Sequence, residues 1–189
     1  MKLVEKRYAM KKLIFVALAV SGLVSAQSAW PTDVKLVTLS PNKVVSVTGK
    51  FETGALIPDL TWAANSAMAC FPATQNANFK GKHVMYAVRL PPKSILTVTL
   101  TPKNANQQTS IWGYQTGGTD YRVPPKIQSS VNCEAEHTWD RPRAGKTQDH
   151  TRPIKFQNPT ANTYNVLIGA TGPEAVTEGE FSLAFALKQ

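Results

Sequence analysis

The chain has 189 residues, and its 21 Lys and Arg against 12 Asp and Glu give a formal net charge of +9. Five of these basic residues and one acidic residue precede residue 27, so residues 27–189 hold 16 basic and 11 acidic residues, a net charge of +5. A surplus of this size favours solubility and attraction to anionic surfaces, but it is not the strongly basic stripe of a nucleic-acid-binding protein. The length corresponds to one domain that buries its own hydrophobic core.

The start of the chain carries the pattern of a secretory signal peptide. Met10-Lys11-Lys12 forms a basic opening, an apolar run follows over 13–20, and the small residues of Val24-Ser25-Ala26 fit a cleavage site. The apolar run is too short to span a bilayer, and no later run reaches that length, so we expect no stable membrane insertion. We therefore expect residues 1–26 to be a signal peptide, residues 27–189 to be a single β-sandwich domain, and the product to be secreted or periplasmic.

The rest of the chain predicts an all-β fold. Apolar and polar residues alternate with period two, β-branched and aromatic side chains are frequent, and Pro, Gly and Asn break the alternation into short strands. The last predicted strand places four large apolar residues on one face and the small residues Ser182, Ala184 and Ala186 on the other, as in a sheet with one buried face. Seven such strands indicate a sandwich or barrel. In chain order they are Lys35–Leu39, Val44–Thr48, Val84–Leu90, Ile95–Thr101, Thr109–Tyr114, Tyr164–Gly169 and Glu180–Leu187.

Two segments interrupt the strands. Asp59–Ala69 has apolar residues at helical spacing behind a capping aspartate, and it is either a helix or an irregular loop. Glu134–Pro153 is polar, charged and broken by Pro and Gly, which predicts a long inserted loop. Cys70 and Cys133 are the two cysteines, and export to an oxidising compartment predicts that they form a structural disulfide.

Several of these strands resemble a known family. The stretch His83–Leu100, HVMYAVRLPPKSILTVTL, resembles a strand pair of the bacterial pre-peptidase C-terminal (PPC-like) domain, with Leu-Pro and a tight turn before a Leu-Thr-Val strand. Thr109–Tyr114 resembles the next strand of that family, and residues 163–169 with 179–185 resemble its final hairpin. The resemblance covers residues 43–187.

The resemblance implies a jelly-roll-like antiparallel β-sandwich with an accessory role. Members of this family are appended to exported enzymes, where some bind collagen or polysaccharide and some bind calcium. This chain differs from the family in its cysteine pair and in the segment inserted after Cys133, and we expect it to act without an attached catalytic domain. The acidic side chains that would bind calcium do not form a cluster in the sequence. A calcium site is therefore implied by the resemblance alone and not by the residues themselves.

The sequence favours a protein without catalytic activity, and it nominates no catalytic residue. It has no Gly-x-Ser-x-Gly elbow, and its acidic residues lie mostly in predicted loops. His137 and His150 flank the inserted segment among acidic residues and are candidate zinc ligands, although their spacing fits no compact metal motif. The alternative is a solvated polar loop. His83, at the entrance of a strand, is predicted to be a surface or edge residue. We expect no cofactor, with calcium and zinc as the alternatives.

Aromatic side chains suggest a binding surface. Trp112 and Tyr114 share one face of a predicted strand, and Tyr121 and Trp139 lie in nearby segments, where such rings can stack on sugars or dock proteins. The alternative places Trp112 in the core with Tyr114 at its rim. Arg141 and Arg143 belong to a basic cluster in the insertion, which is either an anion-binding patch or a solvated loop.

These observations predict a secreted or periplasmic binding module. Its expected partner is a cell-surface or extracellular polymer, such as a polysaccharide, or a protein, and not a nucleic acid. One alternative is a small exported hydrolase or metalloenzyme that uses the 133–153 insertion. The other is an inhibitor or chaperone of a co-exported enzyme.

Overall fold

The computed structural model describes residues 29–65, 75–127, 129–138, 144–145 and 149–189. The predicted signal peptide lies outside these residues, as do Cys70, Trp139, Arg141 and Arg143. The cleavage site, the disulfide and the contact roles of those three side chains therefore stay predictions. Cys133 is half-buried on a strand near one edge of the molecule.

The described residues form ten strands in two sheets, which confirms an all-β fold of two largely antiparallel sheets. None of the helices among these residues combines the length and apolar composition that a membrane crossing requires. The strands are β1 Val34–Leu36, β2 Val44–Lys50, β3 Ala55–Leu56, β4 Lys82–Leu90, β5 Ser94–Pro102, β6 Ser110–Thr116, β7 Asn132–Glu136, β8 Arg152–Asn158, β9 Tyr164–Thr171 and β10 Glu180–Lys188. Single 3-10 turns occupy Phe51–Thr53, Thr61–Ala63 and Asn76–Phe79.

Most neighbouring strands in the two sheets are not consecutive in the chain. Sheet A has the order β1-β4-β9-β6-β7, with β3 beside β4, and sheet B has the order β2-β10-β5-β8. All pairs are antiparallel except β1 with β4. The final hairpin implied by the family resemblance is therefore absent: its two strands are β9 and β10, which lie in opposite sheets so that their apolar faces meet across the core.

The two interrupting segments differ from their predicted structures. The first contains a 3-10 turn, and both ends of the second belong to strands. In the described part of Asp59–Ala69 the chain makes one 3-10 turn, and Asp59 Oδ1 accepts the N–H of Thr61 at 2.8 Å. The predicted insertion begins inside β7 and ends inside β8, because Glu134 and Glu136 belong to β7 and Pro153 belongs to β8.

Alternate residues of both sheets fill the space between them, as the period-two pattern predicts. Tyr86 on β4 and Phe156 on β8 are among the largest side chains there, and Phe181 and Phe185 enter from β10. This first core also contains Val84, Val88, Leu90, Leu96, Val98, Leu100, Ile111, Ile154, Val166, Ile168, Leu183 and Leu187.

A second core covers the outer face of sheet A. All seven residues of β6 and seven of the eight residues of β9 are buried, so these strands are enclosed on both faces. The cover comes from the N-terminal segment, the two 3-10 turns between β3 and β4, and the loop before β7. The members of this second core are Trp30, Val34, Leu60, Trp62, Ala63, Phe79, Met85, Ala87, Trp112, Tyr114, Ile127 and Leu167.

One glycine makes the centre of the second core possible. Gly169 on β9 lies directly opposite Trp112 on β6, and the indole ring rests on its bare backbone. A Cβ atom at Gly169 would lie 2.1 Å from Cε2 of Trp112 and 2.5 Å from its Nε1, far inside van der Waals contact. The ring is fully buried, so it has no free space into which to move.

We expect Gly169→Ala to lower the free energy of unfolding by about 1–3 kcal/mol, because the added methyl group forces the Trp112 ring or the strand to shift. The matched control is Gly117→Ala, since a Cβ there meets only Asp120 at 3.9 Å. Urea denaturation of both variants measures the difference. Equal stability of the two variants would contradict the close contact of Trp112 with β9.

Candidate binding surface

The structure corrects the predicted aromatic platform. Trp112 and Tyr114 do share one face of β6, but that face belongs to the second core, and both residues are 0% exposed. Their ring centroids lie 5.4 Å and 5.2 Å from that of Trp62, which packs over both. A sugar or protein could reach these rings only after the cover of sheet A had unpacked. The prediction of a contact role is therefore wrong for Trp112 and Tyr114, and Tyr114 is a core residue, not a rim.

Tyr121 has a different position. It is half-buried, and its ring meets Trp30 edge to face with centroids 5.4 Å apart. Its remaining surface borders a cavity of about 450 Å³ that is also lined by Leu36 and Arg89. Its role as a contact residue stays a prediction. Because Trp112 is fully buried, the two rings do not form one exposed platform.

His83 is a buried core residue, not the surface residue that its place in the sequence predicted. Trp112 Nε1 donates to His83 Nδ1 at 2.9 Å, and Phe79 O lies 2.8 Å from His83 Nε2. Since an indole nitrogen only donates and a carbonyl only accepts, the ring is neutral, with its proton on Nε2. Burial lowers the pKa of His83 to about 4, against a weaker opposite effect of the bond to Phe79.

The candidate zinc ligands do not form a metal site with other described residues. No group of three or more His, Cys, Asp or Glu that could hold a metal occurs in the described part of the chain. His137 is buried, and its Nδ1 donates to Thr138 O at 2.7 Å. His150 Nδ1 faces the guanidinium of Arg152 at 3.4 Å, so a cation bound there would be repelled. Burial and the charge of Arg152 both lower the pKa of His150.

Arg152 closes the base of the inserted segment. Its side chain is buried, and its two terminal nitrogens donate to Thr151 O at 2.7 Å and Thr138 Oγ1 at 3.0 Å. Thr109 Oγ1 also donates to His150 O at 2.6 Å. Arg152 thus ties the two ends of the insertion together and does not belong to an exposed basic patch.

The outer face of sheet B is the exposed counterpart of the covered sheet A. Cross-strand register places Ser46, Ala184 and Thr99 in one row, and Thr48, Ser182 and Thr101 in the next. Every one of these positions is exposed or half-exposed. The centre of the face therefore consists of short side chains on three neighbouring strands: Ser46, Thr48, Thr97, Thr99, Thr101, Ser182, Ala184 and Ala186.

Lysines surround this small-residue face. Alternation along the strands places Lys50, Lys155 and Lys188 on the same side of the sheet, and Lys103 follows the end of β5. The only acidic residue on that side in the described strands is Glu180, which bridges Lys50 Nζ at 3.2 Å and Lys103 Nζ at 2.6 Å. Hydrogen bonds from Lys103 and then Lys50 lower the pKa of Glu180. Four lysines against one glutamate leave the rim positively charged.

A cavity of about 620 Å³ lies at the Glu180 end of this face. Its lining includes Thr48, Lys50, Lys103 and Ser182, and it reaches Lys35 of sheet A. The sequence contains the signal for this surface, because short residues alternate through β5 and β10, but it does not reveal that these two strands and β2 are neighbours. We call these side chains the lysine-rimmed face below.

No family model and no curated protein matches the chain. Among solved structures, the fold is similar to the crystal structure of Aeromonas hydrophila PliG, a periplasmic lysozyme inhibitor of g-type lysozyme, with a TM-score of 0.42 and 9% identity over 82% of this chain and 96% of that one. It is also similar to CorA, a surface-associated copper-binding protein important in copper acquisition by Methylomicrobium album BG8, with a TM-score of 0.39 and 11% identity over 82% and 97% of the chains. At these values no residue role carries over to this chain.

The neutral state of His83 makes a prediction about acid stability. In the unfolded chain its pKa is about 6.5, so the unfolded state takes up a proton first as the pH falls. The stabilising contribution is complete above about pH 6.5, is lost as the pH falls towards about 4, and amounts to about 3 kcal/mol. Urea denaturation at a series of pH values measures this slope.

The variant His83→Gln should be less stable at neutral pH and should lose most of the slope. His150→Asn is the control: the backbone of His150 has φ +57, which Asn tolerates, and the side chain is only half-buried. It should keep most of the slope. If the pH dependence of stability survives in His83→Gln and disappears in His150→Asn, then His150 and not His83 causes it, and the prediction is wrong.

Proposed function

We propose that this chain is an exported, non-catalytic binding protein whose partner is an acidic protein of the cell surface or the extracellular medium. The leader pattern in residues 10–26 supports export. The single observation that carries the binding function is the lysine-rimmed face, an exposed sheet surface with short side chains at its centre and an excess of positive charge at its edge.

Short side chains suit such a face to a flat protein partner. Ser, Thr and Ala lose little rotamer freedom on contact, and they let another backbone or sheet approach closely. The face has no aromatic side chain on which a sugar ring could stack, because Phe156, Phe181 and Phe185 of sheet B all point into the first core. These properties favour a protein partner over a polysaccharide. Binding of a polysaccharide is one of the outcomes that the experiment below distinguishes.

The lysine rim accounts for the charge of the partner. Exposed charges of this kind contribute mainly by steering an oppositely charged surface and by excluding like-charged ones, and salt screens them over about 8 Å at physiological ionic strength. The histidines and Arg152 support a role without catalysis, because His83, His137 and Arg152 are engaged in hydrogen bonds that hold the fold.

Capture from the envelope and medium fractions of the source organism tests this function. The bait is the protein expressed from its full-length coding sequence and purified after export, compared with Lys155→Glu/Lys188→Glu. We expect the reversed charges to weaken capture of an acidic protein by about tenfold or more. Added salt should weaken capture by the wild type in the same direction.

The control for that measurement is Lys80→Glu/Lys126→Glu, which changes the net charge equally at two exposed lysines outside sheet B. This control should capture the same protein as the wild type. Capture that is equally reduced in both double variants would show a net-charge effect, and capture of a glycan alone would show that the partner is not a protein. Either result would contradict the proposal.

A further inference from the structure

The edge of sheet B beside the lysine-rimmed face carries a free row of backbone groups. β2 is the terminal strand of that sheet and pairs only with β10. Phe51 N–H donates to Gly179 O at 2.9 Å, whereas Lys103 N–H donates to Glu180 O at 2.9 Å. Gly179 and every second residue after it therefore face β2, and Glu180 and every second residue after it face β5.

This alternation defines which groups of β2 are unpaired. Val45, Val47 and Gly49 exchange hydrogen bonds with β10, so the N–H and C=O groups of Val44 and Ser46, and those of Thr48, point away from the sheet. In the described part of the chain, no hydrogen bond reaches these outward groups. The free row ends at Lys50, whose carbonyl accepts from Thr53 Oγ1 at 2.8 Å.

The other sheet edges carry features that prevent strand pairing. β8 has Pro153 and Lys155, and β7 has Glu134 and Glu136 on five residues. The remaining edge of sheet A consists of β1 and β3, which have three and two residues. Charges, proline and short length are the usual protections of an edge strand.

β2 lacks all of these protections over most of its length. It has seven residues, VVSVTGK, and none of the residues between Lys43 and Lys50 is charged. Val44 is 63% exposed on this strand. A long, regular edge with exposed β-branched side chains is a template for another extended chain.

We propose that an extended segment of the acidic partner adds a strand to the free edge of β2. This inference rests on the proposed function and names the part of the partner that makes the contact. Backbone hydrogen bonds from Val44, Ser46 and Thr48 hold the added strand in register.

Charge selects the partner over a second copy of this chain. Lys43 and Lys50 flank the free edge, Lys35 lies across the adjoining cavity, and Lys188 lies at the far end of β10. Pairing of two β2 strands would gather these lysines from both copies around one short ladder, which is unfavourable. A segment with acidic residues at its ends meets the same lysines favourably.

The two faces of sheet B also specify the alternation within that segment. Val45 and Val47 are half-buried and pack against the first core, so partner side chains on that face are apolar. Val44, Ser46 and Thr48 lie on the exposed face, so partner side chains beside them are small or hydroxyl-bearing. The expected segment alternates apolar and small polar residues between acidic ends.

A synthetic peptide of alternating valine and threonine with glutamates at both ends tests the edge directly, using the exported full-chain product. In the free protein the amides of Val44, Ser46 and Thr48 should exchange rapidly with solvent. We expect peptide binding to slow their exchange by about tenfold or more, and to leave Val45 and Val47 unchanged, because those amides already bond to β10.

Two variants at one position separate the backbone contact from the side chain. Ser46→Pro removes an outward N–H without removing a hydrogen bond to β10, and it should weaken peptide binding by about tenfold or more. Ser46→Ala also removes the hydroxyl but keeps the N–H, and it should bind within about twofold of the wild type. Retained protection of Val45 and Val47 shows that Ser46→Pro is folded. If it is not folded, an N-methylated peptide replaces the variant, and it must fail to bind where the unmodified peptide binds.

Different outcomes would overturn different parts of the proposal. Slow exchange at Val44, Ser46 and Thr48 in a dimer without peptide would identify a second copy as the occupant. Absence of protection at any peptide concentration, or equal binding of the N-methylated peptide, would overturn strand addition. If capture still depends on Lys155 and Lys188 in that case, the proposed function stands and its contact is the face alone; if capture also fails to depend on them, both proposals are wrong.

Discussion

The contact between Trp112 and the bare backbone of Gly169 determines how the rest of the molecule is arranged. It fixes β6 against β9 and directs the indole N–H to Nδ1 of His83. His83 in turn holds the carbonyl of Phe79 and so positions the 3-10 turn Asn76–Phe79 over sheet A. An indole on the outer face of a sheet must be covered, because its exposure would cost about the burial energy of a large aromatic side chain.

The two sheets differ in whether their outer faces are covered. The N-terminal segment, the turns between β3 and β4 and the loop before β7 all enclose sheet A, and they contribute the aromatic rings of Trp30, Trp62 and Phe79. Sheet B receives no such cover in the described residues, and the centre of its outer face has short side chains with lysines around it. A surface that can contact a partner without unpacking the protein therefore belongs to sheet B or to the strand edges.

Period-two alternation predicted β2, β5 and β10 of sheet B well because these strands are buried on one face only. The same parity rule places Trp112 and Tyr114 together on β6, but parity does not say whether solvent or a covering segment lies over a face, so it could not separate a platform from a second core. β7 and β8 were missed because Glu134, Glu136, Pro153 and Lys155 make an edge strand resemble a loop. The small-residue face was visible as alternation in β5 and β10, but the order of strands, which brings these rows together, depends on contacts distant in sequence.

The free edge of β2 and the lysine-rimmed face lie on the same sheet, so one partner can contact both. A strand added to β2 extends the rows that run from Ser46 through Ala184 to Thr99, so the parts of the partner next to that strand lie beside the exposed face. Backbone pairing is nearly independent of sequence, and surface lysines bind weakly, so neither contact alone selects one partner firmly. Once the strand is paired, however, the acidic surface of the partner is held near the lysines at a high effective concentration. Selectivity then comes from requiring both features in one partner: an extended segment of the right alternation, and acidic groups placed within reach of the rim.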